Sequence, residues 1–471
     1  MSGRIALPGA GETIAALATP AGRGALAMLR LSGPAAREIG AALIVPFRWT
    51  PGRNYLASLR APADGTPIDQ VMVTAYAAPR SFTGEDMLEL TTHGGHLVPA
   101  LALNALLAAG ARAALPGEFT RRAVANGKMD LLQAEAAADL VDARSAAMHR
   151  AALHQLDGAL TRRIAALRDA VLAVEALLAY DVDFPEEDEG SLPRERVARA
   201  AADVLASIDA LLGTARTGEM LRDGALVVLA GAPNSGKSSL FNALLGRARA
   251  IVTEIPGTTR DALEALIEVE GFAVRLVDTA GLRDGAGDVV ERLGIEIAER
   301  YLGEAHVILV CGDTAPRLRE AGTRTAAITT ARRILVRTKC DLVANRTEST
   351  VGDSPWGGDL VAYGDDIVPT SAATGAGLGV LAAALGRTLG ALRPEHDGAE
   401  PLLTRTRHRR AMEGARDAVA AFAAAWREGV MPSPVAATHL RDAAAALEEL
   451  IGAVTAQDVL EVVFRSFCIG K

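Results

Sequence analysis

The sequence predicts a multidomain α/β protein with an α+β N-terminal domain, an all-α helical domain, and an α/β domain inserted into the helical one. Three features of the pattern lead to this prediction. Short β-like runs surround one helical stretch at the start of the chain, and Ala-, Leu-, Arg- and Glu-rich helical spacing follows and returns at the end. Between the two helical parts, apolar strand-like runs alternate with helices, which predicts a mostly parallel sheet with helices on both faces.

These patterns divide the 471 residues into four segments, and that length is too great for one ordinary core. They are the N-terminal domain at 1–127, the first helical part at 128–219, the α/β domain at 220–381 and the second helical part at 382–471. Because the helical composition resumes after the α/β segment, we expect the two helical parts to form one domain. Such an insertion requires that the ends of the inserted domain lie close together, as domain ends often do.

Individual elements follow from short runs of the sequence. In the first segment ALAMLRLSG, VMVTAYA and DMLELTTHGG predict strands, and LVPALALNALLAAGA predicts a helix. The run LLQAEAAADLVDARSAAMHRAALHQLDGALTRRIAAL predicts long packed helices. In the third segment the expected strands are ALVVLAG, FAVRLVDTAG, HVILVCGD, RILVRTKCD and IVPTSA, and SSLFNALLG is the expected helix after the first of them.

Composition restricts the compartment and the redox chemistry. The N-terminus lacks a basic region followed by an apolar core, and the longest apolar stretch, 97–111, is shorter than the roughly 18 residues of a membrane span. We therefore expect a cytoplasmic protein with no membrane contact. Cys311, Cys340 and Cys468 are scattered without CxxC spacing, which argues against a disulfide framework and a zinc site.

The charge distribution bears on nucleic-acid binding. A net charge of −8 argues against wholesale coating of nucleic acid, so an RNA contact would need a local basic patch. The run RTRHRR (405–410) is either such a patch or a solvated helix face. The acidic run DVDFPEEDEG (181–190) is better interpreted as a solvated connection between helices than as a metal site.

The segment GAPNSGKS (231–238) has the pattern of a phosphate-binding loop, G-x-x-x-x-G-K-[ST]. It has the required context, because the apolar run LVVLA precedes it and the amphipathic run SSLFNALLG follows it. In such a loop the glycines let backbone N–H groups surround the phosphates. We expect Lys237 to neutralise the β and γ oxygens as a catalytic residue, and Ser238 to bind Mg²⁺ through its hydroxyl.

The other elements of a Ras-like GTPase follow in order. TEIPGTTRD (253–261) supplies Thr258 and Thr259, either of which can close on Mg²⁺ and the γ-phosphate, and DTAG (278–281) ends a strand with Asp278. TKCD (338–341) is expected to read guanine through Asp341, which would accept hydrogen bonds from N1–H and the 2-amino group, and SAATGAGL (371–378) completes the base site. The predicted GTP contacts are Asn234, Ser235, Gly236, Lys237, Ser238, Ser239, Thr253, Glu254, Ile255, Pro256, Gly257, Thr258, Thr259, Asp278, Thr279, Ala280, Gly281, Thr338, Lys339, Asp341, Ser371, Ala372 and Ala373.

One position departs from the usual Asn-Lys-x-Asp pattern of the base site. Thr338 replaces the asparagine, and threonine is shorter and carries a single hydroxyl. We therefore expect that a loop-bracing contact or a contact to the base can be lost here. Asp341 still distinguishes guanine from adenine, so GTP remains the predicted nucleotide.

The residue after DTAG is Leu282, where Ras-like enzymes place the glutamine that orients the attacking water. A leucine cannot do so, and the water must be positioned by another group. Our candidate is Glu291 in VVERLG, which is otherwise a helix-surface residue. Asn234, three residues before the lysine of the loop, either ligates a monovalent cation such as K⁺ or braces the loop through a hydrogen bond. A cation there would stabilise charge that develops between the β and γ phosphates.

Several segments spread along the chain indicate one known family. The GAPNSGKS loop, GTTRD, DTAGLR followed by VERLG, and the tail FCIGK (467–471) resemble segments of the TrmE (MnmE) family of tRNA modification GTPases. At the N-terminal side ETIAALATPAGRGALAMLRLSGP (12–34), PRSFTGEDMLELTTHGG (79–95) and PGEFTRRAVANGKMDLLQAEAAADL (116–140) are also similar to family segments. The resemblance covers essentially the whole chain.

The resemblance implies a homodimer that pairs through its N-terminal domains and binds a one-carbon donor, 5,10-methylene- or 5-formyl-tetrahydrofolate. Its GTPase domains would meet across a K⁺-dependent interface to hydrolyse GTP. With the flavoprotein MnmG (GidA), in a heterotetramer or larger complex, it would add a carboxymethylaminomethyl or aminomethyl group at C5 of the wobble uridine, U34, of certain tRNAs. A competing class is a GTP-dependent ribosome-assembly switch, which would typically append an RNA-binding module instead of a folate-type domain.

Site residues carry over from the family by position. The K⁺ site corresponds to Asn234, Thr253, Ile255 and Thr258, the Mg²⁺ site to Ser238 and Thr259, and the water-positioning glutamate to Glu291, although the DGAGD linker before it is one residue longer than usual. Folate contacts correspond to Arg30, Glu89, Lys128 and Lys471, each of which could instead form a surface salt bridge. Cys468, in the tail that the family brings to the folate pocket, is either a reactive thiol or a buried structural one.

Overall fold

The computed structural model describes residues 11–183, 194–247, 249–250, 263–279, 297–342, 367–392, 401–428, 433–452, 463–464 and 467–470. Contacts divide the chain into two compact units, one made of residues 1–138, 156–172 and 441–471 and the other of residues 139–155 and 173–440. The prediction of a multidomain α/β protein is confirmed. The four segment boundaries remain predictions.

The first unit is built on a seven-stranded sheet of order β3-β4-β5-β6-β2-β1-β7. Its neighbouring strands are antiparallel, except that β1 and β7 are parallel. The strands are β1 (Ile14–Leu17), β2 (Gly22–Ser32), β3 (Ile44–Val45), β4 (Asn54–Arg60), β5 (Pro67–Tyr76), β6 (Met87–Gly95) and β7 (Arg112–Ala113), and the helices among them are α1 (Ala36–Leu43), α2 (Leu97–Ala108) and α3 (Glu118–Ala125).

The two faces of this sheet differ because side chains alternate along each strand. On one face Leu29, Leu90 and Val73 join helices α1 and α2 in an apolar core. On the opposite face Leu56 and Met72 are cross-strand neighbours, with 61% and 41% of their surfaces exposed. Leu26 of β2 lies on that same face and is 65% exposed. We call the face that carries Leu26, Leu56 and Met72 the open face.

The run predicted to form long helices folds as three helices. These and the other helices of the helical segments are α4 (Leu131–Val141), α5 (Ala146–Leu156), α6 (Ala159–Asp183), α7 (Arg194–Leu212), α8 (Ala215–Asp223), α12 (Thr406–Glu428) and α13 (Ser433–Ile451). In the first unit Phe464 and Phe467, close to the C-terminus, pack against Leu131 of α4. In the second unit α7 packs along α12.

The basic run 405–410 begins helix α12, and two of its arginines already have acidic partners. Arg405 Nη2 lies 2.6 Å from Asp139 Oδ1, and Arg409 Nε lies 3.1 Å from Glu219 Oε1. These ion pairs neutralise part of the run, which favours the helix-face interpretation over an RNA-binding patch. Residues 184–190 of the acidic run lie outside the described residues.

The second unit contains the predicted α/β domain, with a seven-stranded sheet of order β14-β13-β12-β8-β11-β10-β9. In this order the strands from β14 to β11 are all parallel to one another. Strand β10 is antiparallel to β11, and β9 is antiparallel to β10. The strands are β8 (Ala225–Ala230), β9 (Arg249–Ala250), β10 (Leu263–Val269), β11 (Phe272–Asp278), β12 (Val307–Gly312), β13 (Arg332–Arg337) and β14 (Ile367–Pro369), and the helices are α9 (Lys237–Arg247), α10 (Ala315–Ile328) and α11 (Leu378–Ala391), with residues 297–304 also helical.

Both faces of this sheet are buried, as the near-continuous apolar strands predict. Val227 and Leu229 face a core that includes helices α9 and α11, whereas Leu226 and Val228 face one that includes helix α10. Among the described helices of the whole chain, none has the length and apolarity needed to cross a membrane.

Candidate active site

The predicted nucleotide loops follow four strands of the parallel part of the second sheet. The phosphate loop follows β8, Asp278 is the last residue of β11, TKCD follows β13 and SAAT follows β14. Because the carboxyl ends of parallel strands meet at one edge, the topology brings all four loops together. Hydrogen bonds between these loops confirm that they are adjacent.

The phosphate loop closes tightly in front of helix α9. Gly231 has a φ of 154°, and a Cβ there would collide with the carbonyl oxygen of Cys311, so only glycine fits. Helix α9 begins at Lys237, and its N-terminal N–H groups and dipole favour a phosphate. The Lys237 ammonium donates to the carbonyl oxygens of Gly231, at 3.1 Å, and Ala232, at 2.9 Å. Its charge is therefore held at the mouth of the loop.

The end of β11 lies beside this loop. Asp278 is fully buried, and the Thr279 hydroxyl donates to the Leu229 carbonyl at 2.8 Å, which connects the residue after β11 to β8. Cys311 of β12 interacts electrostatically with both Lys237 and Asp278. Burial raises the pKa of the Cys311 thiol to about 12, with the Lys237 charge lowering it and the Asp278 charge raising it. Cys311 is thus a neutral packing residue and no nucleophile at physiological pH.

The base-reading loop is joined to the phosphate loop by two hydrogen bonds. The Thr338 hydroxyl, which is buried, donates to the Ser235 carbonyl at 2.6 Å. The Lys339 ammonium donates to the Asn234 carbonyl at 2.8 Å. Of the two expected losses, that of the loop-bracing contact is wrong, because the Thr338 hydroxyl reaches the loop. The loss of a contact to the base stays a prediction.

The two base loops also lie side by side. Asp341 lies in a single 3₁₀ turn, Cys340–Leu342, and the Cys340 N–H donates to the Thr370 carbonyl at 3.1 Å. The loop that contains Ser371, Ala372 and Ala373 is closed by the Ser371 N–H, which donates to the Ala376 carbonyl at 3.0 Å. Asp341 and the 371–373 backbone are therefore held on neighbouring turns.

Asn234 is exposed, and its backbone φ of 59° lies in the left-handed region. Its carbonyl accepts from Lys339, whereas its side-chain amide makes no hydrogen bond within the described part of the chain. Ser238 and Ser239 are exposed in the first turn of helix α9. Leu282 lies outside the described residues, and so do the predicted nucleotide, metal and catalytic residues Thr253, Glu254, Ile255, Pro256, Gly257, Thr258, Thr259, Ala280, Gly281 and Glu291.

Two of the predicted folate residues meet on the open face of the first unit. Arg30 and Glu89 are cross-strand neighbours, with Arg30 Nε 3.0 Å from Glu89 Oε1. The Tyr76 hydroxyl donates to Glu89 Oε2 at 3.0 Å, and burial together with the Glu89 charge raises the pKa of Tyr76. Both oxygens of Glu89 are thus occupied, so a ligand that bound this carboxylate bidentately would have to replace or share these donors.

The C-terminal tail reaches the same cluster. Arg30 Nη1 donates to the Gly470 carbonyl at 3.4 Å, and the Arg30 guanidinium lies over the Phe82 ring, 5.2 Å from its centre. Gly470 has a φ of 93°, and a Cβ there would come within 2.6 Å of the Leu17 carbonyl oxygen, so the tail lies directly against the end of β1. Cys468 is exposed, which rules out the buried structural alternative.

Of the other two predicted folate residues, only Lys128 is described, and it makes its contact outside this cluster. The Lys128 ammonium is exposed and donates to the Pro79 carbonyl at 3.0 Å, and Lys471 lies outside the described residues. Sequence reasoning missed Tyr76, Phe82 and Asp313, which contacts Lys339. Asp313 could have been found, since it directly follows a buried strand at the sheet edge where the nucleotide loops lie. Tyr76 and Phe82 have no such signal, because only strand register and chain folding bring them to Arg30.

Comparisons with known proteins extend over nearly the whole chain. A family model described as "MnmE helical domain" matches residues 131–468, and one described as "GTP-binding protein TrmE N-terminus" matches residues 13–128. Three relatives, each named tRNA modification GTPase MnmE, come from Moorella thermoacetica, Heliobacterium modesticaldum and Aquifex aeolicus. They are 39%, 40% and 37% identical to this chain, cover 98% of it, and are themselves matched over 99%, 100% and 100% of their length.

Proposed function

This chain belongs to the MnmE (TrmE) family of tRNA modification GTPases and is a GTP hydrolase of tRNA modification, and we propose that its hydrolysis depends on K⁺ and drives modification of the wobble uridine. The observation that carries the proposal for the nucleotide is the double connection between the base and phosphate loops. Thr338 and Lys339 donate to consecutive carbonyls, those of Ser235 and Asn234. These bonds hold the two loops at a fixed separation, which supports a site that binds the base at one loop and the phosphates at the other.

The chain's own residues have distinct parts in this proposal. Lys237 at the start of α9 binds the β and γ oxygens, and Asp341 accepts from the guanine edge. Ser238 and Thr259 would hold Mg²⁺. The buried carboxylate of Asp278 at the end of β11 is negatively charged and therefore suits a site for this divalent cation. Glu291 would orient the attacking water in place of Leu282.

K⁺ would be held by Asn234, Thr253, Ile255 and Thr258 through side-chain or backbone oxygens. The exposed amide of Asn234 fits this role, since it is not used to brace the loop among the described residues. When bound, K⁺ supplies positive charge where negative charge develops during γ-phosphate transfer.

The proposal is tested by single-turnover GTP hydrolysis in KCl and in NaCl at equal ionic strength. We expect fast hydrolysis in K⁺ and slow hydrolysis in Na⁺, because Na⁺ is too small to satisfy the same ring of oxygens without strain. Equal rates in the two salts would remove K⁺ from the mechanism. Lys237→Ala should abolish hydrolysis in both salts, whereas Arg332→Ala, an exposed charge on β13, should not change it.

The role of Glu291 in hydrolysis is tested separately from any effect on GTP binding. If it acts on the attacking water alone, Glu291→Ala should lower kcat while the affinity for GTP is kept. A proportionate loss of affinity would assign the residue a structural role instead. Competition by ATP as strong as that by GDP would contradict guanine recognition by Asp341.

We propose that the cluster of Arg30, Glu89 and the Gly470 tail belongs to a tetrahydrofolate site, together with Lys128 and Lys471. The cluster offers a guanidinium for the pterin oxygen or the glutamate tail and a carboxylate for the pterin N–H groups. Both side chains are mostly buried, with 20% and 15% of their surfaces exposed, so a ligand there would be largely desolvated. The one-carbon donor would be 5,10-methylene- or 5-formyl-tetrahydrofolate.

The proposed reaction takes place in the cytoplasm on tRNA with the flavoprotein MnmG, and its product is the carboxymethylaminomethyl or aminomethyl group at C5 of U34. A deletion strain should lose this modification and keep a normal ribosome profile. An unchanged modification would contradict the proposal, and a defective ribosome profile with intact U34 chemistry would favour the ribosome-assembly switch.

We further propose a homodimer that pairs through the open face of the first unit. Leu26, Leu56 and Met72 make this face apolar although it is exposed, which is typical of a surface that another protein covers. Pairing there would bring two Arg30–Glu89 clusters close to the dimer contact, since these residues lie on the same face.

A further inference from the structure

Two residues of the nucleotide site share an unusual backbone conformation and contact each other. Within the described chain, the non-glycine residues with a left-handed φ are Asn234 (59°), Glu270 (49°) and Lys339 (56°). Side chains are disfavoured in this region, and such residues tend to be held at functional sites by their surroundings. The Lys339 ammonium donates to the carbonyl of Asn234, so two of the three are joined directly.

Asp313 is the residue next to this contact. It directly follows β12, and its Oδ2 lies 3.6 Å from Lys339 Nζ. Arg317, in the first turn of helix α10, donates from Nη1 to both carboxylate oxygens, at 3.1 and 3.2 Å. Burial alone would raise the pKa of Asp313, but the hydrogen bonds and charge of Arg317 and the charge of Lys339 outweigh it and lower that pKa. The carboxylate is therefore ionised at neutral pH.

A backbone hydrogen bond also joins the base-reading loop to β12. The Thr338 N–H donates to the Gly312 carbonyl at 3.0 Å, so the base-reading loop is attached to β12 immediately before Asp313. The Lys339 side chain remains 39% exposed, and a lysine of that exposure would otherwise sample many rotamers. In the rotamer in which the ammonium reaches Asn234, it also lies beside the Asp313 carboxylate.

We propose that Asp313 is a positioning residue of the nucleotide site, whose carboxylate holds Lys339 against the Asn234 carbonyl and so keeps the base-reading loop fixed to the phosphate loop. This inference rests on the GTP site described above. In this proposal Asp313 acts through Lys339 and makes no contact of its own with the nucleotide. Its loss should let the two loops separate and should accelerate nucleotide release.

The test is stopped-flow release of N-methylanthraniloyl-GDP from the full chain. Asp313→Asn keeps the shape and removes the charge, and we expect release to become roughly three- to tenfold faster, while kcat at saturating GTP stays within about twofold of wild type. Arg317→Gln is the matched control. It removes the other partner of Asp313 and leaves the pair with Lys339 intact, so its release rate should remain within about twofold of wild type.

A double-mutant cycle separates positioning from a general structural role. Lys339→Met should itself accelerate release, and adding Asp313→Asn to it should have little further effect. An equal effect of Asp313→Asn in both backgrounds, or no effect in the wild-type background, would overturn the inference. If the wild-type chain failed to bind the GDP analogue, the nucleotide site itself would be refuted, which is a different outcome.

Discussion

The hydroxyl of Thr338 donates a 2.6 Å hydrogen bond to the carbonyl oxygen of Ser235, and both residues are buried. The residue that departs from the usual base-recognition pattern is therefore the one that braces the phosphate loop. A hydroxyl has a single proton to donate, and here it is directed into the loop.

Removing this hydroxyl should destabilise the nucleotide site. Thr338→Val keeps the volume but leaves the Ser235 carbonyl without its donor, and a buried unsatisfied acceptor costs about 1–3 kcal/mol. We expect a lower melting temperature for the calorimetric transition that GDP shifts, because that transition reports the domain that binds the nucleotide. Thr338→Ser keeps the hydroxyl and should change this transition much less. Equal behaviour of the two variants would contradict the bracing role.

A second prediction concerns His306 and the pH dependence of stability. The Leu226 N–H donates to His306 Nδ1 at 3.0 Å, and burial, followed by the charges of Arg216 and Arg275, lowers the pKa of His306 from 6.5 to about 4. Between these two values the unfolded chain binds one proton more than the folded chain, so stability is lost as the pH falls from 6.5 towards 4.

The expected loss between pH 7 and pH 5 is about 1–2 kcal/mol from this group. His306→Asn places an amide oxygen near the position of Nδ1 and cannot titrate, so its stability should change less over that interval. Urea denaturation at both pH values measures the difference. A variant with the same pH dependence as wild type would show that other groups are responsible.

The third prediction tests the proposed folate cluster. Glu89→Gln removes the charge from a carboxylate that could bind pterin N–H groups, and a charge-assisted hydrogen bond contributes about 1.5–3 kcal/mol. We expect binding of 5-formyl-tetrahydrofolate, measured by calorimetric titration, to weaken about tenfold or more. Tyr76→Phe removes one neutral donor to Glu89 and keeps the charge, so its affinity should fall by less than about threefold. Unchanged affinity of Glu89→Gln would exclude the carboxylate from the site.

The fourth prediction tests pairing through the open face. Leu56→Asp places a charge where an apolar contact is proposed, and burial of a leucine side chain is worth about 1.5–3 kcal/mol. Light scattering over a dilution series should show a dimer that dissociates at a concentration at least about tenfold higher than wild type. Val380→Asp in helix α11 is the control, since Val380 is 59% exposed in the second unit. Dissociation to the same extent in both variants would argue against this face.

The α/β domain was well predicted because its strands are buried on both faces. The runs ALVVLAG and HVILVCGD contain the observed strands β8 and β12, and β13 begins one residue before the run RILVRTKCD. The helix predicted from SSLFNALLG begins one residue before that run, at Lys237. The long helical run was predicted less well, since its periodicity continues across the turns at 142–145 and 157–158 that divide it into α4, α5 and α6. Helical spacing does not reveal where a chain rich in alanine turns.

The sequence by itself predicted the family and the fold class, and both predictions are confirmed. It also predicted a phosphate loop, because glycine, lysine and serine at fixed spacing between a strand and a helix have few alternative uses. Only the tertiary structure decided that Thr338 braces Ser235, that Tyr76 engages Glu89 and that Asp313 reaches Lys339. These pairs are separated by up to 103 residues along the chain, as between Ser235 and Thr338. Strand order and register bring such distant residues together, and no local pattern contains that information.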